Sequence, residues 1–161
     1  LEHRLSCLQA LRRLGYQTGA GFMVGSPLQS EEDVARDLAF LSSFRPEMAG
    51  IGPFIPHHDT VFASCSAGSV DDTLFILALM RIAMPNVLLP ATTALATLSP
   101  TGTRDGILAG ANVVMPNMTP AGEGRYELYD GKKRQDAGEA MRKEIEAAGC
   151  RMAMVRGDYR D

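Results

Sequence analysis

Hydrophobic and polar positions along the chain follow two different periods. Apolar residues recur every three to four positions over residues 2–14 and again in the stretches after Ser30, Ser69 and Thr101, which predicts amphipathic helices. Between these stretches lie short apolar runs that predict strands over residues 16–25, 48–55, 87–95 and 111–115. Because each strand is followed by a helix, the pattern favours a parallel sheet built from four β-α units.

Capping signals support the predicted helix starts. Asp33 follows Ser30, and Asp72 follows Ser69, at the spacing of a capping box, in which two residues three positions apart exchange side-chain to backbone hydrogen bonds. A last helix is predicted over residues 136–148, within a helical tail that covers about residues 132–161. We predict a single domain over residues 1–161.

The first predicted strand has little side-chain volume on one face. Gly19, Gly21, Met23 and Gly25 fall on the same side of a strand in which successive residues alternate. Such a face leaves room for a ligand or for another backbone. A glycine-rich core strand that packs on a helix is the alternative interpretation.

The succession of units indicates an α/β architecture. Right-handed crossovers place the helices on one side of a sheet that curls toward closure, so four parallel β-α units correspond to half of a TIM-type (β/α)8 barrel. A doubly wound open sheet is the competing architecture. Its G-x-G-x-x-G signature is not matched, because Val24 stands where the third glycine after Gly19 and Gly21 should be.

Composition narrows the classes of function. A net charge of -3 argues against nucleic acid as a partner, and the basic run over residues 125–134 also contains acidic residues, which is typical of a solvated face. No apolar run approaches the roughly 18 residues that span a bilayer, so we expect no membrane association and a cytoplasmic protein. Cys7, Cys65 and Cys150 are far apart in sequence and are predicted to be free thiols.

Segments 15–27, 50–57, 90–95 and 110–117 together carry a resemblance to a known family. They are similar, in order and in spacing, to the C-terminal half of biotin-synthase-like radical S-adenosylmethionine enzymes of the iron-only hydrogenase maturase type. The likeness covers about residues 1–131. It implies that the strands correspond to strands five to eight of a TIM-type barrel, together with the biotin and thiamin synthesis associated domain.

The resemblance also implies a chemistry. In that family a [4Fe-4S] cluster, held by a C-x3-C-x2-C loop, passes one electron to S-adenosylmethionine and generates a 5′-deoxyadenosyl radical. The chain contains no such loop. We therefore expect the cluster to be held by an N-terminal half-barrel that precedes Leu1, and the isolated chain to be inactive. The implied substrate is a small molecule or an organometallic iron precursor, although relatives act on other substrates.

Site residues follow from the same resemblance, and no catalytic residue is expected within this chain. The cofactor-binding residues that it implies are Gly21, Met23, Gly25, Phe54, Ile55, Met115 and Tyr126. Thr92 and Thr93 resemble a pair that lines the substrate cavity, although neighbouring residues of a regular strand face opposite ways. For Met23, Phe54, Ile55 and Met115 an ordinary role in the hydrophobic core remains the alternative.

The run from His57 to Thr60 contains two adjacent histidines and an aspartate. Adjacent histidines rarely ligate one ion, and the family that the chain resembles has a proline at the position of His58. We therefore expect a solvated loop and no metal ligand in this chain. A second iron-sulfur cluster is also not expected, because Lys132 to Arg134 occupy the region where some relatives carry further cysteines.

Other functions compete with a radical enzyme. One is a non-catalytic half-barrel that works as a binding module through a partner. Another is an ordinary lyase or aldolase barrel, whose Schiff-base version requires a lysine at a strand end. No lysine precedes Lys132, which argues against that version. In either half-barrel the exposed strand edges predict self-association.

Overall fold

The computed structural model describes residues 1–116, 137–153 and 157–159. Its helices are α1 (Glu2–Arg13), α2 (Glu31–Phe44), α3 (Val70–Ala83), α4 (Thr93–Leu98), α5 (Gly102–Leu108) and α6 (Ala137–Ala147). Its strands are β1 (Gly19–Val24), β2 (Met48–Pro53), β3 (Pro90–Ala91) and β4 (Val113–Val114). None of the described helices is both long and apolar enough to cross a membrane.

Parallel pairing organises the strands. β1 pairs with β2, and β3 pairs with β4, both in parallel. A single parallel bridge between Met48 and Leu88 connects the two pairs. The protein is thus α/β with parallel strands, as the sequence predicted, and its architecture is compatible with part of a barrel.

The hydrophobic core lies on one side of β1 and β2. Val24 of β1 and Ile51 of β2 are buried there with Leu41 of α2 and with Leu77 and Met80 of α3. The side chains of β1 alternate in exposure, so that Gly19, Gly21 and Met23 are exposed while Val24 is buried. One face of this parallel pair is therefore covered by helices and the other remains open.

Both predicted serines cap their helices, but only the one at α2 completes the predicted capping box. The Ser30 hydroxyl accepts the Asp33 N–H at 3.2 Å, and the Asp33 carboxylate accepts the Ser30 N–H at 2.9 Å, which completes a capping box at α2. The Ser69 hydroxyl accepts the Asp72 N–H at 3.1 Å at α3. The hydrogen bond from the Ser30 backbone holds the pKa of Asp33 below its ordinary value.

The prediction of a strand over residues 87–95 is wrong beyond Ala91. Thr92 caps a helix, because its hydroxyl accepts the Leu95 N–H at 3.3 Å, and α4 follows at once. Leu95 is fully buried in this helix, as it could be in a strand, so a short apolar run did not distinguish the two structures. β3 and β4 are each only two residues long, so the described strands form two pairs and not one continuous sheet.

A polar network connects the starts of β1 and β2. The backbone N–H and the hydroxyl of Thr18 donate to the same oxygen of Glu47, at 2.6 and 2.8 Å. Arg12 of α1 donates to the carbonyls of Phe44 and Arg45, at 2.6 and 2.7 Å. Burial raises the pKa of Glu47, but the two hydrogen bonds from Thr18, together with the Glu47 backbone and the nearby Arg12 guanidinium, lower it by more, so the net pKa lies below its ordinary value.

Candidate functional site

A cavity of about 880 Å³ lies on the open face of β1 and β2. It is bounded by these two strands, by the loop that follows β2 and by the start of α4. Its lining includes Gly21, Met23, Gly52, Ile55, His57 and Thr92. A cavity at the carboxyl ends of parallel strands is the usual position of a binding site in α/β barrels.

Glycine is required in this lining for two separate contacts. A Cβ atom at Gly21 would collide with the carbonyl oxygen of Gly50 on the neighbouring strand. A Cβ atom at Gly52 would lie 2.5 Å from the hydroxyl oxygen of Thr92. The glycines therefore let the neighbouring backbone of Gly50 and the side chain of Thr92 approach.

The two adjacent threonines have different positions. Thr92 lines the cavity and packs directly over Gly52, while its hydroxyl caps α4. Thr93 is the first residue of α4 and is not part of the cavity lining, and its carbonyl accepts the Thr97 hydroxyl at 2.8 Å. Of the pair that the resemblance implied, the structure brings only Thr92 into the cavity.

Gly25 and Phe54 form the rim that joins the two strand ends. The Phe54 N–H donates to the carbonyl of Val24, and its own carbonyl accepts the Gly68 N–H, both at 2.8 Å. Gly25 has a φ of 76°, and a Cβ atom there would lie 2.6 Å from the Cα of Gly68. Phe54 is 7% exposed and meets the Phe62 ring edge to face. Both residues thus hold the rim of the cavity and do not line it.

The remaining predicted site residues differ in their position relative to the cavity. Met23 and Ile55 both line the cavity, and Met23 is 55% exposed there. Met115 directly follows β4, is 51% exposed and does not belong to the lining. Tyr126 lies outside the described residues.

Among the lining residues that sequence reasoning missed, His57 and Thr60 carry polar side chains. They occupy one turn, in which the Thr60 N–H and hydroxyl both donate to the His57 carbonyl, at 3.0 and 2.9 Å. The sequence feature that could have identified them is their position a few residues beyond the end of β2. Residues that follow a barrel strand lie at the carboxyl face, where ligands bind.

The cysteines do not form a cluster site. Cys7, Cys65 and Cys150 are all free, as predicted, and the first and last are exposed. Among the described residues, the group of metal-ligand type whose atoms come within 4.8 Å of one another consists of His57, His58 and Asp59, not of thiols. The cysteines of this chain therefore do not fit a [4Fe-4S] cluster, which requires thiolate ligands close together.

Comparison with known proteins identifies a relative. No family model matches the chain. The chain is 49% identical over 132 residues to the [FeFe] hydrogenase maturase subunit HydE of Thermotoga maritima. The match covers 81% of this chain and 38% of the relative, so the chain spans little more than a third of that protein. Identity at this level confirms the resemblance that the strand-end segments carry.

Proposed function

Since this chain is a homologue of part of the [FeFe] hydrogenase maturase subunit HydE, we propose that it forms one wall of the cofactor and substrate cavity of a radical S-adenosylmethionine enzyme. The reaction of the full-length enzyme is then a step in the maturation of the iron-only hydrogenase active site. The observation that carries the proposal is that three of the segments behind the resemblance contribute residues to one cavity: Met23, Ile55 and Thr92.

The fold of the full-length enzyme is proposed to be a barrel. β1 to β4 then correspond to strands five to eight, and an N-terminal half-barrel of the same protein is the partner that closes the structure. The parallel pairs and the bridge between Met48 and Leu88 support this proposal, because successive barrel strands pair in parallel. The open face of β1 and β2 is the surface that the other half would enclose.

The lining suits S-adenosylmethionine. Its volume of about 880 Å³ lies within the range of small-molecule sites. The wall is open at Gly50, where an added Cβ atom would meet no atom within 4 Å, so a flat ring can come close to the backbone there. The exposed thioether of Met23 offers a polarizable contact on the same wall. Ile55 supplies an apolar contact at the end of β2. These residues are proposed to hold the adenine of the cofactor.

Other contacts complete the assignment. Thr92 is proposed to bind a polar group of the substrate through its hydroxyl, which adds no charge to the cavity. Met115 is accessible at the carboxyl end of β4 and is proposed to approach the sulfonium of the cofactor. Tyr126 is proposed to border the cofactor. When bound, S-adenosylmethionine supplies a 5′-deoxyadenosyl radical. The [4Fe-4S] cluster is proposed to be held by cysteines outside this chain.

Cofactor binding to the full-length protein tests the proposal. Met23→Ala removes a thioether contact worth about 1 kcal/mol, which should weaken S-adenosylmethionine binding about fivefold. Met23→Trp should place a larger ring against the cavity wall and weaken binding further than Met23→Ala does. Because Met23 is exposed on the open face, neither substitution should unfold the protein. Calorimetry with the reconstituted enzyme measures the affinities, and thermal unfolding checks the fold.

Met152→Ala is the matched control, because Met152 is 42% exposed but lies outside the cavity lining. It should bind the cofactor as the wild type does. Wild-type affinity in both Met23 variants would show that this wall does not contact the cofactor. Binding without formation of 5′-deoxyadenosine after reduction would instead favour a non-catalytic binding module.

A further inference from the structure

The turn after β2 brings three metal-ligating side chains together. We propose that His57, His58 and Asp59 bind a divalent transition-metal ion of the Zn²⁺ class at the mouth of the cavity. This inference rests on the geometry of the turn and is independent of the proposed cofactor site. It also reverses the expectation from sequence, in which adjacent histidines argued against a shared ion.

The conformation of the turn removes that objection. Consecutive side chains of a strand point to opposite sides, but the imidazoles of His57 and His58 lie on the same side of this turn, with their ring centroids 4.4 Å apart and their planes 25° from parallel. Because an ion lies close to the plane of each imidazole that ligates it, the exposed His58 ring turns out of this stack when the ion binds. One carboxylate oxygen of Asp59 lies 3.3 Å from Nε2 of His58 and 4.0 Å from Nδ1 of His57. The three ligand atoms all lie within 4.8 Å of one another.

These distances are close to those of a metal site. Ligand atoms at about 2.0–2.2 Å from Zn²⁺ lie roughly 3.3 Å apart when the geometry is tetrahedral. The Asp59 and His58 atoms already have that separation. The His57 atom is farther from its neighbours, at 4.0 Å from Asp59. Rotation of the Asp59 and His58 side chains, which are 76% and 61% exposed, would bring the three ligand atoms around one ion.

The ligand set determines which ion is bound. Two imidazoles and one carboxylate suit borderline divalent ions such as Zn²⁺, Co²⁺ and Ni²⁺, whereas Mg²⁺ and Ca²⁺ require oxygen ligands. Three protein ligands leave at least one coordination position for water or another small ligand. Because His57 lines the cavity, a ligand bound to the ion there would lie at the cavity mouth.

The ion has to compete with existing contacts. Nδ1 of His57 accepts the Asp59 N–H at 3.2 Å, and both histidines make further interactions. Binding through Nδ1 therefore requires the ion to replace that amide as its partner.

Titration of the full 161-residue chain with Zn²⁺ tests the site by calorimetry at pH 7.5. We expect one ion per chain at this site. His58→Ala and Asp59→Asn should each weaken binding at least tenfold, since each removes one of three ligands. Both side chains are exposed, so the variants should fold normally. With Co²⁺ as the probe, visible absorption bands should appear in the wild type and be lost in both variants.

A double variant provides the matched control. His3 and Cys7 lie 3.9 Å apart on α1 and form a second, exposed imidazole and thiol pair that could bind the same ions. His3→Ala/Cys7→Ser should retain the affinity of the wild type. The proposal is overturned if no saturable binding occurs, if His58→Ala and Asp59→Asn bind as the wild type does, or if the control variant loses the ion.

Discussion

The network at the starts of β1 and β2 permits a quantitative prediction about Glu47. Its carboxylate accepts both the N–H and the hydroxyl of Thr18, and Thr18 is only 2% exposed. Glu47→Ala would leave both donors buried without their acceptor. Each such group costs about 1–3 kcal/mol, and the hydroxyl can turn to another partner, so we expect a loss of about 2–4 kcal/mol. Glu47→Gln keeps an acceptor oxygen but no charge, and should cost about 1 kcal/mol.

The pH dependence of this stabilisation follows from the direction in which the pKa of Glu47 is shifted. The pKa of Glu47 is lowered in the folded state from its ordinary value of 4.5, so the carboxylate stabilises the fold fully above that value. This contribution disappears as the pH falls through the lower, folded pKa. The difference in stability between wild type and Glu47→Gln should therefore be largest near pH 7 and should shrink below pH 4.5. The Glu47 side chain is 22% exposed, so solvent screening is limited.

Urea unfolding followed by circular dichroism measures these free energies at pH 7 and at acidic pH. Glu32→Gln is the control, because Glu32 is exposed on α2, and its stability should change by less than about 0.5 kcal/mol. A cost below 0.5 kcal/mol for Glu47→Ala, or a Glu47→Gln difference that does not vary with pH, would refute this reasoning. Because β1 and β2 pair from Gly19 and Met48 onward, the network also sets the register of the strands that build the cavity.

Three further predictions concern local contacts. Gly52→Ala should lower the free energy of unfolding by about 1–3 kcal/mol, because its Cβ would collide with Thr92. Gly50→Ala on the same strand is the control and should cost less, because its Cβ would meet no atom within 4 Å. Equal losses of stability in chemical denaturation would contradict this. Thr92→Val should lose about 1 kcal/mol of helix capping, and Thr92→Ser should retain it by the same assay. Ser30→Ala should lower stability by about 1 kcal/mol, and an unchanged melting temperature would argue against the capping box.

The parts of the fold that depend on near neighbours in sequence were predictable. The serine caps of α2 and α3 each involve residues only three positions apart, so their signal is contained in four letters. The open, glycine-rich face of β1 follows from simple alternation. The resemblance to a hydrogenase maturase was also available from the strand-end segments, and the identity to HydE confirms it.

The sequence did not distinguish strand from helix in a short apolar run without a recognised capping signal. The run after Ala91 was predicted as strand, but Thr92 caps a helix there. Burial of Leu95 is compatible with either structure, and the choice depends on the packing of α4 against α5 and β2. The same helix start explains why Thr92 lines the cavity while Thr93 does not.

The sequence by itself determined the α/β alternation and the starts of α2 and α3, because these depend on hydrogen bonds and periodicities that span a few residues. It also carried the family likeness. Only the tertiary structure decided that Met23, Ile55 and Thr92 share one cavity and that His57 joins them. Convergence of this kind depends on contacts between distant segments, such as the pairing of Gly21 with Gly50 and the bridge from Met48 to Leu88. Such pairings are selected by the packing of the whole core, which no local pattern encodes.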